Sequence, residues 1–371
     1  MHLKKFNNLS GEISGSIGDL GTFLPYIIGI ITIGGLDATG VLFMFGLMYI
    51  VTGWYYRIPV PVQPMKVMGA AVLVHHLTAG EVAAAGLLMG LTLLFLAVSG
   101  LVEKLARLTP QSVTAGIQVG LGISLAMLGI KFIQDDLLLG LIMLIVMLFL
   151  FSFRKLPVAI IAVVGGTLLA FLIHPELTFP QLSAGFHLPH FMLPQWKDFS
   201  RGFTLAYLPQ LPLTLANSVL VTAALAHELF PHQSKRVSEK NLCISLGIGN
   251  LIAMPLGGFA MCHGSGGLAA HYRFGARTGL SVIIIGTFLL VTAVILGPSG
   301  VDLLGVIPRA VLGGLLFFSG IDLVKSGEYG EGQAKYPFII TVIISVAVNP
   351  AIAFIAGCAL VYLLNKGWVK I

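Results

Sequence analysis

Lys66 stands inside IPVPVQPMKVMGA (Ile58–Ala70), an otherwise uncharged stretch that also holds Pro59, Pro61 and Pro64. Proline removes a backbone donor and pushes its predecessor toward extended geometry, so PVPVQP cannot be an ordinary helix, while a helix can begin directly after it at Met65. The first N–H groups of such a helix lack partners, and together with the helix dipole they favour an anion. Gln63, Met65 and Lys66 would sit at that mouth. A second stretch, MCHGSGGLAAHYRFG (Met261–Gly275), offers similar chemistry by other means. Gly264 and Gly266 let backbone approach a ligand, Ser265 adds a hydroxyl, and His263 adds a ring N–H. Two positive helix ends and one ammonium describe a pocket for a small oxyanion. Plainer readings stand beside this one: Lys66 snorkelling to a membrane surface, His263 bonded within a core, the glycines serving helix packing alone.

Two more polar clusters qualify. SIGDLGTFLP places Asp19 and Thr22 ahead of Pro25, and LPQLPLTLANS places Gln210, Thr214 and Asn217 at spacings of four and three, on one helix face. The latter three line the pocket or tie helices together. Asp19 reads as a proton-coupling acid, a partner of Lys66, or an ordinary N-cap. With His263 it makes the pair of titratable coupling candidates. Catalysis would need paired acids, a metal set, or a nucleophile with a base, and none is visible. Cys262 and His263 are adjacent, so on a helix they point about 100° apart and are poor metal co-ligands. No enzyme, cofactor or metal is therefore expected.

The elements holding these residues are membrane helices. Of 371 residues, 57% are hydrophobic and 10% charged, against about 25% charged in soluble domains. An all-α polytopic membrane protein follows, with about fourteen segments near 17–34, 37–56, 62–77, 81–102, 109–131, 136–152, 157–174, 204–229, 241–257, 262–273, 279–297, 306–325, 336–348 and 350–365. An N-terminus on the cytoplasmic side puts sixteen Lys and Arg in inside loops and only Lys131, Lys197 and Arg201 outside. That asymmetry supports a plasma or inner membrane location with both termini cytoplasmic. The net charge of +6 accompanies no basic face or reading motif, so nucleic acid is not expected. Cys243, Cys262 and Cys358 all fall in apolar segments and read as small buried residues. FNNLSGEISGSIGDLG after Lys5 has no apolar core, so no cleavable signal is expected.

The halves repeat. LTPQSVTAGIQVGLGISL (Leu108–Leu125) resembles VIPRAVLGGLLFFSGIDL (Val306–Leu323) at a shift of 198, and the same shift lays PMKVMGAAV on CHGSGGLAA. Seven segments per half is odd, so the copies are inverted: 1–174 and 204–371, joined by an outside connector, 175–203. Inverted repeats mark secondary transporters with a mid-membrane site.

GDLGTFLP, PVQPMK, LPQLPLTLANS and CHGSGGLAAHYRFGARTG together resemble the hallmark stretches of the plant- and algal-type molybdate transporter family, related to the SulP sulfate permeases. The resemblance runs through nearly all of the chain. It implies a seven-plus-seven inverted-repeat fold like that of SulP proteins and uracil permease, with two half-helices. It implies secondary transport of molybdate, with sulfate or a nucleobase or other organic anion as alternatives. The absence of Glu or Asp between Asn241 and Gly300 disfavours a nucleobase. A coupled proton and a homodimer are compatible with this reading. The chain ends at Ile371, so the soluble C-terminal domain of the sulfate permeases is expected to be absent. The family is sometimes placed with the major facilitators; the repeat argues for a different architecture.

Overall fold

The computed structural model describes residues 2–18, 20–102, 104, 110–153, 156–327, 332–366 and 368. The elements in order are α1 (His2–Gly18), α2 (Leu20–Thr32), α3 (Ala38–Tyr56), β1 (Gln63–Pro64), α4 (Lys66–His75), α5 (Ala79–Ser99), α6 (Gln111–Asp135), α7 (Leu137–Phe151), α8 (Val158–Ile173), α9 (Asp198–Leu229), α10 (Glu239–Ala253), β2 (Met261–Cys262), α11 (Ser265–Arg273), α12 (Leu280–Leu296), α13 (Ser299–Gly305), α14 (Arg309–Lys325), α15 (Lys335–Ala347) and α16 (Pro350–Asn365). Short polar residues set many of the starts. Asp37 accepts from the N–H groups of Thr39 and Gly40 ahead of α3, and Asn349 caps α16 with Pro350 in its first turn. Thr78 and Glu81 form a reciprocal capping box on α5. Glu81 is held further by Arg201 (2.9 and 3.2 Å), whose other nitrogen donates to the His75 carbonyl, so the ends of α4, α5 and α9 are tied at one face.

Among the described residues four helices, α3, α5, α6 and α9, are long and apolar enough to cross a bilayer alone, and α12 with α13, bent by 110°, makes a fifth if the pair is one span. Other apolar helices run only 10–17 residues, lengths that a membrane tolerates where neighbours cover the backbone. Several of the expected segments are therefore short helices. Three boundaries differ from expectation. Residues 2–18 form a helix of their own before α2, α9 begins at Asp198 rather than 204, and α13 occupies what reads as a loop between two spans.

Two large hydrophobic clusters organise the packing, with a smaller third around Tyr56, Ala226 and Leu268 of α11. One joins α2–α5 to α9, α10 and α12 through residues such as Phe45, Met89, Val219, Leu246 and Ile285. The other gathers α6, α7, α8 and α14, with α2 and α4 at its edge, around Leu121, Met143, Ala162 and Leu316. The chain thus passes through each cluster twice. Close approaches use facing glycines: α3 meets α12 at Gly46 and Gly286, α5 meets α10 at Gly90 and Gly247, and α6 meets α14 at Gly122 and Gly320. A Cβ at Gly122 would lie 2.7 Å from the Gly320 carbonyl oxygen, and one at Gly320 would lie 2.5 Å from that of Gly122. Small residues permit such contact where lipid offers no hydrophobic drive. Gly122 and Gly320 are 198 apart. The strand pairs Gln63–Cys262 and Pro64–Met261 also exchange under that shift, as the two halves of a pseudo-twofold contact do.

α9 is not a uniform α-helix. Gly202–Tyr207 and Thr214–Val221 are π-helical turns either side of Pro209 and Pro212. Each proline lacks an N–H and crowds the preceding turn, and an extra residue per turn absorbs the mismatch. At the opposite face to Arg201, buried Glu12 of α1 accepts from the N–H groups of Arg277, Thr278 and Ser281 and so caps α12. Gly11 and Gly15 let α1 lie directly on Gly275 and Ala276.

Candidate functional site

The proline-rich entry folds as extended backbone and meets its counterpart at the centre of the protein. β1 and β2 pair antiparallel, Gln63 opposite Cys262 and Pro64 opposite Met261. Met65 N–H donates to the Ala260 carbonyl (3.0 Å). Asn250 brackets Met261 from behind, accepting its N–H (2.7 Å) and donating to its carbonyl (3.0 Å). His263 Nδ1 donates to the Pro61 carbonyl (2.8 Å), and its Nε2 lies 2.7 Å from Ser245 Oγ, which in turn meets Tyr56 Oη (2.8 Å). Both interrupted spans are therefore bonded to one another and to their surroundings through their extended parts, as buried backbone requires. From this crossing α4 and α11 start as half-helices.

Their first turns differ. Gln210 Oε1 accepts from both Val67 and Met68 N–H (2.9 and 3.1 Å), and its Nε2 donates to Thr214 Oγ1 (3.0 Å). α4 is thus capped from α9. At α11 no described side chain accepts from the amides of Ser265, Gly266 or Gly267. Gly266 is exposed, and a Cβ built there meets nothing within 4 Å.

A cavity of about 600 Å³ opens at that bare end. Lys66 of α4, Asn217 of α9, Ser265 and Gly266 of α11 line one side; Gln111, Thr114 and Gln118 of α6 with Leu323 and Ser326 at the end of α14 line the other. The cavity lies between the two clusters. Lys66 is the one charged side chain among its described lining residues, and it makes no ion pair or hydrogen bond with a described residue. Ser265 Oγ donates to Asn217 Oδ1 (2.5 Å), an arrangement that leaves the Asn217 –NH₂ as a donor toward the cavity. The π-helical turn at Thr214–Val221 carries Asn217, and Thr222 Oγ1 fixes it by bonding both the Asn217 and His263 carbonyls (2.8 and 3.2 Å). One ammonium, one amide, and a helix end worth about +0.5 charge form a donor set for a compact anion.

Of the residues anticipated from sequence, Lys66, Asn217, Ser265 and Gly266 come together on the cavity. Gln63, Met65, His263, Gly264, Gln210 and Thr214 are buried behind it. Gln63 packs over Gly264, so that a Cβ on Gly264 would strike Gln63 Oε1. His263 is a bonded core histidine in this conformation, and Gln210 acts on backbone rather than on the cavity. Asp19 lies outside the described residues, as does the side chain of Thr22. Gln111, Thr114 and Gln118 were not anticipated. Their spacings of three and four on an apolar helix were the available signal.

Residues 11–125 and 202–323 match the family described as a molybdate transporter of the MFS superfamily. Molybdate transporter 2 of Arabidopsis thaliana is 33% identical over 417 residues, covering 98% of this chain and 89% of that protein. Among solved structures, the transmembrane domain of a cyanobacterial bicarbonate transporter, BicA, superposes with a TM-score of 0.66 at 21% identity, covering 96% of each chain. The murine Slc26a9 anion transporter in the inward-facing state gives 0.69 at 13% identity, covering 97% of this chain and 69% of that one. These place the fold with the SulP and SLC26 transporters, as a multi-pass membrane protein and not an enzyme. By the extent of the family match and a relative aligned along nearly its whole length, the chain belongs to the molybdate transporter family.

Proposed function

We propose that this protein is a secondary transporter of a tetrahedral oxyanion, molybdate first, and that the anion sits between Lys66, Asn217 and the start of α11. The observation that carries the reading is the cavity's charge: an unpaired ammonium beside a bare helix N-terminus, with no acid among the described lining residues. A dianion would supply the missing negative charge. A nucleobase would want an acceptor for its ring N–H groups, and the lining offers no carboxylate. The relatives named above carry molybdate or bicarbonate in their names, so sulfate is the less supported oxyanion.

The two clusters supply the moving parts. The strand crossing at Met65 and Met261 belongs to one, and α6 and α14 to the other, so rocking one against the other would expose the cavity to either side in turn. Gln111 and Ser326 at its rim are exposed and lie at the face that the Lys and Arg distribution assigns to the cytoplasm. The conformation is accordingly read as inward-open, with both termini inside a plasma or inner membrane. The contacts that exchange under a shift of 198 support inverted repeats at 1–174 and 204–371 around the 175–203 connector.

Uptake of labelled molybdate into proteoliposomes tests the site. Removing the ammonium forfeits a charge-assisted contact of about 1.5–3 kcal/mol, tenfold or more in Kd. Lys66→Ala is expected to lose saturable uptake while inserting normally; wild-type uptake by that variant would end the reading. Competition by sulfate and by uracil orders the alternatives.

A further inference from the structure

The wall of the cavity formed by α6 carries a buried amide with no partner. Gln111, Thr114 and Gln118 share one face of α6, and burial deepens along it: Gln111 is exposed at the rim, Thr114 is half-buried, and Gln118 is only 6% exposed. Seven residues at 1.5 Å each put Gln118 about 10 Å further along the helix than Gln111. The hydroxyls on this wall are turned back on their own helices, Thr114 Oγ1 to the Pro110 carbonyl (3.5 Å) and Ser326 Oγ to the Leu323 carbonyl (2.8 Å). Gln118 makes no hydrogen bond with a described residue, and it is the most buried polar side chain of the described lining. The other faces of α6 are filled: Gly116 and Gly120 meet Thr341 and Ser345 of α15, and Gly122 meets Gly320 of α14. α4 and the Leu208–Leu213 stretch of α9 pack against α6, so the elements that carry Lys66 and Asn217 touch the helix that carries Gln118. Packing does not call for an amide here. Under the 198-residue shift Thr114 and Gln118 correspond to Leu312 and Leu316 of α14, both buried in the apolar cluster that α6 and α14 share. An amide buried without a partner destabilises a fold, where leucine at the equivalent position does not.

We propose that Gln118 is an anion-binding residue, its –NH₂ group donating to an oxygen of the seated tetrahedral oxyanion from the side of α6. The inference rests on the anion site proposed above. Lys66, Asn217 and the start of α11 approach from one side of the cavity. A tetrahedron held there directs at least one oxygen toward the opposite wall, where Gln118 is the buried donor without a competing partner. Gln118 Oε1 is repelled by the anion, so the amide turns its Nε2 inward. A neutral donor adds no charge to the site, and the contact serves any tetrahedral dianion. The cavity, at about 600 Å³, has room for about twenty waters and is larger than one such ion fills. The contact therefore tightens as α6 closes on the half-helices, and equilibrium binding includes that closed arrangement. Gln118 belongs to the cluster of α6 and α14, and the strand crossing to the other. The anion thus touches both moving parts at once.

Equilibrium binding of molybdate to Gln118→Leu in detergent, with Tm measured in parallel, is the test. Leucine is the residue that the repeat places at the equivalent position. Kd should weaken about tenfold, as loss of a hydrogen bond to a charged group does, while Tm without molybdate equals or exceeds the wild-type value. The rise in Tm on adding molybdate should shrink accordingly. A wild-type Kd overturns the proposal, whether or not Tm falls. Should Gln118→Leu fail to fold, Gln118→Glu decides: it keeps the shape and replaces the donor with a carboxylate oxygen. Binding at neutral pH weakened about tenfold or more is expected, and a Kd within about threefold of wild type refutes the proposal. Lys66→Ala separates the two claims. If it binds molybdate normally, the anion site itself is misplaced; if it loses binding while Gln118→Leu binds as wild type, only the role of Gln118 fails.

Discussion

At the start of α4 the Val67 and Met68 amides are taken by Gln210 Oε1; at the start of α11 the amides of Ser265 and Gly266 meet no described side chain and look into the cavity. The two tips arise from equivalent stretches, cross as one antiparallel pair, and begin two or three residues beyond it. One tip is closed by an amide and extends a lysine; the other is left bare and lined with glycine. Positive charge reaches the cavity as a side chain from the closed tip and as backbone from the open one. The closed tip fixes where the ammonium begins, and the open tip leaves room for the oxygens of the proposed anion. A symmetric scaffold thereby gives an asymmetric seat.

Exchanging features between the tips should break this contrast. The largest effect is expected at Gln210. Gln210→Ala strands two buried amides at about 1–3 kcal/mol each, so melting in detergent should fall by several degrees. An unchanged Tm would mean the cap is not structural. Next are the paired glycines. Gly264→Ala forces its Cβ into Gln63 and should cost about 1–2 kcal/mol through overpacking. Gly266→Ala enters open space, so stability should stay within about 0.5 kcal/mol while molybdate affinity weakens. Equal thermal shifts in the two variants would show that the tips are not differently built.

The smallest effect is expected far from both tips, where His174 follows α8. Its ring is bonded by Asp136 (2.8 Å) and Glu176 (3.1 Å), and the Asp136 hydrogen bond foremost raises its pKa above the ordinary histidine value. A raised folded-state pKa gives stability that is complete below about pH 6.5 and fades as pH rises through the folded value. Wild-type Tm should therefore drop slightly between mildly acidic and mildly alkaline buffer, and His174→Gln should remove that slope. Asp136 also caps α7 through its other oxygen, so loss of the slope without loss of the cap isolates the histidine.

Much of the fold could be read from the chain because its signals were local. Three prolines before Lys66 dictated an interrupted span, and GSGG dictated its partner. The shift of 198 gave the register that Gln63–Cys262 and Gly122–Gly320 display. The site was half legible. Residue type identified Lys66, Ser265 and Asn217 as donors. It could not tell that Gln210 would turn its carbonyl to the α4 amides, because that depends on how π-helical turns in α9 rotate a side chain reached from 143 residues away. His263 looked like a ligand for the same reason that makes it a good core residue: two ring nitrogens, here met by Pro61 and Ser245. Gln111 and Gln118 were hidden in a stretch whose glycines and repeat drew notice first.

The contact of α1 with the turn after α11 has a mechanical consequence. Gly11 and Gly15 seat α1 against Gly275 and Ala276, and Glu12 grips the following turn by three amides. The nine-residue α11 runs from Ser265 to Arg273, just ahead of that grip. Any load applied to α1, by a lipid surface, a graft or a neighbouring chain, is transmitted along a short strut to the edge of the cavity at Ser265.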